Sequence, residues 1–76
     1  DPAAVMAKVR RYRPRWLAFV GKRPARVVLD RSSVGYGVQP ERLGRTRLFV
    51  LPSPSPRAAG YWDVAWWLRL AALRRR

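Results

Sequence analysis

One stretch decides the fold of this chain: Leu48-Phe49-Val50-Leu51-Pro52-Ser53-Pro54-Ser55-Pro56-Arg57. Its four apolar residues do not alternate with polar ones, a pattern typical of a strand that is covered on both faces. Proline fixes φ and lacks an N–H, so three prolines at alternate positions make the following loop stiff. The stretch therefore predicts a buried strand and a rigid loop that presents hydroxyls and a guanidinium ahead of a helix. Two interpretations of the loop stay open: a phosphate-binding loop, or a turn that only ends the strand and starts the helix.

A second apolar run of strand length, residues 16–20, lies upstream of the first. It is also continuous, so we expect it to be covered on both faces in a parallel sheet. Helical patterns occupy residues 3–12, about 24–29 and about 64–74, while residues 30–46 contain several glycines and a proline and are expected to be irregular. The order helix, strand, helix, strand, helix predicts a βαβ unit with parallel strands and one flanking helix at each end.

Two parallel strands with three helices would be an incomplete layer structure, because doubly covered strands need further strands beside them. The fold class predicted is therefore α/β, a partial three-layer α/β/α arrangement. Residues 1–76 are expected to form a single partial domain, the C-terminal half of a larger one. The chain also begins Asp1-Pro2 instead of with Met.

The charge of the chain points to a polyanionic partner. Its 17 Lys and Arg residues against 4 Asp and Glu give a net charge of +13, and all the cations except Lys8 and Lys22 are arginines. Such a field attracts nucleic acid, and the arginine fork matches phosphate. With no cysteine and no histidine, thiolate chemistry, imidazole bases and ordinary zinc sites are excluded within this chain. The apolar runs are far shorter than a bilayer span, so we expect a cytoplasmic protein with no membrane partner.

The carboxylates offer weak candidates for catalysis. Asp63 is expected to cap the last helix, Asp30 to end or turn the short one, and Glu41 to be solvated. Gln39 could read a base edge or could stabilise its own loop. We therefore name no catalytic residue within this chain.

The aromatic residues divide between core and surface. Trp16, Trp66 and Trp67 have the spacing of core residues, whereas Trp62 is expected near the surface beside the proline loop. Tyr36, between two glycines, could stack on a base or could plug its loop against the core.

Four segments, taken together and in this order, resemble the mismatch-specific uracil/thymine DNA glycosylases of the uracil-DNA glycosylase superfamily. They are Lys8-Val9-Arg10 with Pro14, Phe19-Val20-Gly21-Lys22, Gly37-Val38-Gln39-Pro40, and Val50-Leu51-Pro52-Ser53-Pro54-Ser55 with Arg57. The resemblance covers about residues 5–75. It implies a mainly parallel sheet between helices.

The resemblance also implies a function. Members of the family flip uracil or a mismatched base out of double-stranded DNA and hydrolyse its N-glycosidic bond, without a metal or cofactor. The complete protein is expected to act in base-excision repair as a monomer. The family's water-activating residue lies on a Gly-Asn-Pro-rich loop that these residues do not contain, so the chain alone is expected to be inactive.

The resemblance implies roles for five residues of the proline loop. Ser53 and Ser55 would contact target-strand phosphates, and the wedge that enters the duplex would consist of Pro56, Arg57 and Ala58. Bacterial members commonly have Asn at the position of Ser53 and Gly at that of Pro56, which leaves the base preference open.

One further candidate site residue, Lys22, and two alternative functions remain to be considered. Lys22 follows the first strand and could bind a phosphate at the carboxyl edge of the sheet, or could be a solvated lysine at a helix start. A small basic protein that binds RNA or the ribosome without enzymatic activity is the main alternative function. Membrane-surface binding ranks third, because the cations of the last helix cluster at its end instead of along one face.

Overall fold

Three helices and a three-stranded mixed sheet form the part of the chain that the computed structural model describes, residues 2–53 and 61–75. The strand order is β1-β3-β2. The elements are α1 (Pro2–Tyr12), β1 (Trp16–Val20), α2 (Lys22–Leu29), β2 (Gly37–Leu43), β3 (Thr46–Leu51) and α3 (Tyr61–Arg74).

Strand β3 is the centre of the fold, as its apolar run predicts. Its residues 48–51 are at most 1% exposed. Leu48 and Val50 pack with Phe19 and with residues of α2, whereas Phe49 and Leu51 pack with residues of α3. Because successive side chains of a strand point to opposite faces, one continuous apolar run fills two separate cores. Helices therefore cover both faces of the sheet.

Strand β1 pairs with β3 in parallel, from Trp16 opposite Arg47 to Val20 opposite Leu51. The predicted βαβ unit is thus confirmed. The expectation that β1 is covered on both faces is wrong, because Ala18 is exposed and Val20 is 47% exposed. In the described part of the chain β1 pairs with β3 alone, and an apolar run by itself does not separate a central strand from an edge strand.

The segment expected to be irregular contains the third strand, which makes the sheet mixed. β2 pairs with β3 in antiparallel orientation, with Gly37 opposite Val50 and Leu43 opposite Thr46. The proline and the glycine of this segment occupy positions that a β-hairpin accommodates. Pro40 lies within the register shift of the β2–β3 pair, and Gly44, with φ +63°, begins the turn between the two strands.

A side-chain network holds the loop that leads into β2. The buried Gln39 amide donates to the carbonyls of Gly35 (2.8 Å) and Gly37 (3.1 Å), and its oxygen accepts from Arg31 (3.2 Å). The loop-stabilising alternative for Gln39 is therefore confirmed. Glu41 is not simply solvated, since it forms a 3.2 Å ion pair with the same arginine.

The three helices end where they are predicted to end, at residues 12, 29 and 74, and each begins one to three residues earlier than predicted. Asp30 follows the last residue of α2 and ends the helix as expected, because its left-handed backbone (φ 53°) lets its N–H donate to the Arg26 carbonyl. α3 begins at Tyr61, three residues earlier than predicted, so Asp63 lies in the first turn and not at the capping position. Trp66 packs in the core, but Trp67 is 39% exposed, contrary to its prediction as a core residue.

Candidate functional site

The carboxyl ends of β1 and β3 lie side by side, because the two strands are parallel and in register. The N–H of Gly21, just past β1, donates to the Leu51 carbonyl at 2.7 Å. Gly37, the first residue of β2, pairs with Val50 beside them. We call the surface formed by Gly21, Lys22, Gly37, Pro52 and Ser53 the carboxyl edge.

Three of the four segments that carry the family resemblance meet at this carboxyl edge. They are residues 19–22, 37–40 and 50–53, which are distant in sequence. The remaining segment contributes Val9 to the buried residues of α1 and Pro14 to the approach to β1.

Gly21 brings a serine hydroxyl against the start of α2. Its backbone has φ +100° and ψ 155°, a combination that is essentially restricted to glycine. A Cβ added to Gly21 would lie 2.8 Å from the Ser53 Oγ, so the hydroxyl occupies the space that a side chain would need. Ser53 is exposed while the preceding Pro52 is buried, which anchors the beginning of the loop.

The N-terminus of α2 adds positive charge at the same place. No side chain among the described residues caps this helix, and the residue at the cap position is Gly21. The N–H groups of a first helical turn lack intrahelical partners and carry the positive end of the helix dipole. In this first turn Pro24 adds no N–H. The Ser53 hydroxyl, the N–H groups of Lys22 and Arg23 at the start of α2, and the exposed Lys22 ammonium therefore lie at the same edge. This combination suits a phosphate oxygen.

Lys22 is positioned by an aromatic ring. Its Nζ lies 4.6 Å from the centroid of Tyr36, and the Tyr36 ring in turn lies 6.0 Å from the ring of Trp66. Tyr36 is half-buried against the core on the α2 side, so the plug interpretation is confirmed for it. The cation–π contact holds the ammonium at the edge while leaving it open to solvent.

Gly37 fixes α3 to the carboxyl edge. With φ +97°, it turns its backbone against the Trp66 ring, and a Cβ there would lie 2.9 Å from a ring carbon. The stretch between β3 and α3 thus starts at a buried proline and leads to a helix that is fixed by close packing. Sequence reasoning did not single out Gly21 and Gly37 as site residues, although a glycine directly at a strand end is a signal of close approach.

The remaining predicted site residues are Ser55, Pro56, Arg57 and Ala58, which lie outside the described residues, as does the side chain of Trp62. Their proposed roles therefore stay predictions. Lys22 and Ser53 are described, and both flank Gly21.

Metal sites and membrane-spanning helices are both absent from the described ranges 2–53 and 61–75. These ranges hold no group of three or more potential metal-ligating side chains. None of their helices has the length and apolar character needed to cross a bilayer. No protein-family model matches the sequence.

Proposed function

We propose that this chain is the DNA-binding half of a base-excision-repair glycosylase, whose complete form flips uracil or a mismatched base from duplex DNA and hydrolyses its N-glycosidic bond. The observation that carries the proposal is the meeting of three family-like segments at one sheet edge, around Gly21. Segments that resemble a family only by chance have no reason to converge in space.

The carboxyl edge has the chemistry of a backbone contact. The Ser53 hydroxyl can donate to a phosphate oxygen, Lys22 supplies charge, and the start of α2 supplies the N–H groups of Lys22 and Arg23. Such contacts carry no sequence information, but they fix the register of a protein on a duplex. An enzyme that searches for one damaged base among normal ones needs this kind of contact first.

The wedge is the second part of the proposal. Extruding a nucleotide costs a few kcal/mol of stacking and pairing, and a side chain inserted into the gap offsets part of that cost. The proposed wedge, Pro56, Arg57 and Ala58, directly follows the two serines in the sequence. A DNA strand bound at Ser53 would therefore lie close to the wedge. The alternating prolines of this sequence restrict φ, so the segment has less backbone entropy to lose on insertion than a proline-free one would have.

The test uses the full-length protein and duplexes that differ in a single base pair, uracil:guanine against cytosine:guanine. We expect excision of uracil, detected as strand scission in alkali, and a rate that falls in Ser53→Ala and Lys22→Gln. Matched controls are Ser33→Ala and Lys8→Gln, which remove an exposed hydroxyl and an exposed ammonium away from this edge.

The outcomes separate the candidate functions. Salt-dependent duplex binding without uracil or thymine excision would overturn the glycosylase and favour the non-enzymatic nucleic-acid-binding alternative. Equal losses in the site variants and their controls would show that the carboxyl edge is not the contact.

A further inference from the structure

The opposite, amino edge of the sheet carries a cluster of arginines that face one another. Arg42 of β2 and Arg47 of β3 are direct cross-strand partners, and Arg45 lies in the turn that joins the two strands. Like charges directly opposite each other destabilise a sheet. Among the described residues, neither Arg42 nor Arg45 has a carboxylate partner, and the neighbouring Glu41 is paired with Arg31. The hairpin therefore carries a repulsion that an external anion would relieve.

One of these guanidinium groups is held in place by the core. The Arg47 guanidinium lies over the Trp16 ring, 4.7 Å from its centroid, and Trp16 in turn packs edge-on against the buried Phe49 at 6.2 Å. Stacking on an aromatic face leaves the N–H groups at the rim of the guanidinium free to donate. Arg47 is thus preorganised for an anion, at a smaller entropic cost than a free side chain would have.

A cleft of about 800 Å³ continues the cationic surface from the hairpin turn to the end of α1. Its floor is apolar, with Met6, Val9 and Leu43, and no carboxylate is among the described residues that line it. The lining arginines are Arg10, Arg13, Arg15 and Arg45.

The two walls of this cleft are joined in the folded chain. The buried Thr46 hydroxyl donates to the Pro14 carbonyl at 2.6 Å, which ties the hairpin to the segment between α1 and β1. Arg13 has a left-handed backbone (φ 48°), a conformation uncommon for arginine, and its N–H closes α1 by donating to the Val9 carbonyl at 2.8 Å. The cleft is therefore preformed and does not require a ligand to assemble it.

On the basis of the proposed function, which makes nucleic acid the partner, we propose that the amino edge is a second phosphate-backbone site that binds a different nucleic-acid segment from the carboxyl edge. A single small anion would satisfy one pair of guanidinium groups, whereas these arginines extend around the edge, from Arg47 on the α3 face past Arg45 in the turn to the cleft beside α1. A chain of phosphates matches such an extended set of cations.

The separation of the two edges makes them independent sites. The six residues of β3 span roughly 20 Å at about 3.3 Å per residue. This distance is more than twice the Debye length of about 8 Å at physiological salt. Salt therefore largely screens the charge of a duplex bound at one edge from the other edge, which keeps its own positive field for a second segment.

The test measures affinity for a fluorescent duplex without uracil, by anisotropy, between about 50 and 200 mM salt. The amino-edge variant replaces Arg42, Arg45 and Arg47 by Gln in the full-length protein. Since each lost phosphate contact lowers the salt slope by about 0.9, we expect a slope smaller by about 2 to 3. The control removes the same three charges from exposed positions outside both edges: Lys8→Gln, Arg26→Gln and Arg69→Gln.

A second measurement detects two bound segments. Duplexes labelled separately with donor and acceptor dyes should give energy transfer when the wild-type protein holds both. We expect this transfer to be lost in the amino-edge variant and retained in the charge-matched control. Arg42→Gln alone should weaken binding while leaving the melting temperature equal or higher, because it removes the cross-strand repulsion.

The results distinguish this proposal from the proposed function. Salt slopes that fall equally in the amino-edge variant and its control would overturn the second site, whatever the carboxyl edge does. A slope that falls in the amino-edge variant but not in Lys22→Gln, together with an unchanged duplex affinity in Ser53→Ala, would retain the amino-edge contact and overturn the assignment of the carboxyl edge. Pyrophosphate binding in the cleft with no effect of the variant on duplex affinity would show that the ligand is a small anion.

Discussion

Replacing Gly21 by alanine tests whether the close approach of Ser53 to the end of β1 is built into the fold. The strained backbone of Gly21, at φ +100°, would cost about 1–3 kcal/mol with a side chain present. The new Cβ would also meet the Ser53 Oγ at 2.8 Å. A backbone shift that relieves this contact would weaken the 2.7 Å hydrogen bond from Gly21 to Leu51, a further loss of about 1 kcal/mol. We expect a total of about 2–4 kcal/mol.

The assay is urea unfolding of the full-length protein, followed by tryptophan fluorescence and by circular dichroism. Two glycines provide controls, since a Cβ at either would meet nothing within 4 Å. Gly44→Ala, at φ +63°, should cost about 1–2 kcal/mol from its left-handed backbone alone. Gly35→Ala lies outside the left-handed region and should change stability by less than about 1 kcal/mol in either direction.

A double variant separates the contact from the backbone strain. Ser53→Ala removes the hydroxyl, so in that background Gly21→Ala should lose only the strain. If instead the serine rotates away, the single variant keeps the strain cost and duplex binding weakens. A Gly21→Ala protein as stable as Gly35→Ala, with unchanged duplex affinity, would refute the geometry of the carboxyl edge.

Three other substitutions address the core, the loop and the wedge. Leu48→Ala should lower the free energy of unfolding by about 2–5 kcal/mol in urea, because Leu48 is fully buried, whereas a change at the exposed Val27 should cost less than about 0.5 kcal/mol. Gln39→Met leaves two loop carbonyls without their donor and should cost about 1–3 kcal/mol by the same measurement, while the similar length of the two side chains rules out a large packing loss. Arg57→Ala should reduce uracil excision more than duplex affinity, since the wedge acts after the backbone is bound; equal losses in the two assays would argue against a wedge.

The sequence predicts the two strands that consist of consecutive apolar residues, β1 and β3. A continuous apolar run of this length is typical of a buried strand, and the runs at 16–20 and 48–51 fall within β1 and β3. The run at 64–68 is equally long but lies in α3, where the longer pattern of residues 64–74 predicts a helix. The parallel pairing of β1 and β3 follows from the helix between them. An apolar run does not show whether its strand is central or at the edge of the sheet. β1 proves to be an edge strand.

Strand β2 escapes prediction because its exposed and buried positions are chemically reversed. Val38 is 40% exposed, while the neighbouring Gln39 is 7% exposed and its amide donates hydrogen bonds to two carbonyls of its own loop. A pattern search expects the apolar residue inside and the polar one outside. Pro40 and Gly44 then look like loop residues, although one lies in a register shift and the other in a hairpin turn.

Because β2 is not predicted, the sequence predicts the carboxyl edge but not the amino edge. Lys22 and Ser53 each stand directly after a recognisable strand, so parallel topology brings them to one edge. Arg42 and Arg47 become neighbours only through the pairing of β2 with β3. Without that strand, the arginines of residues 42–47 look like the solvated cations of a loop.

The distribution of charge over the molecule follows from how its core is built. Because residues 48–51 of β3 are buried on both faces, the centre of the sheet presents no ionised side chain to a partner. The cations are left to the outer surfaces of the helices and to the two edges where strands begin and end. At the carboxyl edge, glycines bring backbone and hydroxyl groups close together around Gly21; at the amino edge, long arginine side chains spread over a hairpin and a cleft. The first arrangement suits one phosphate held in a fixed position, and the second suits several phosphates held loosely, so the two edges would bind a polyanion in different ways.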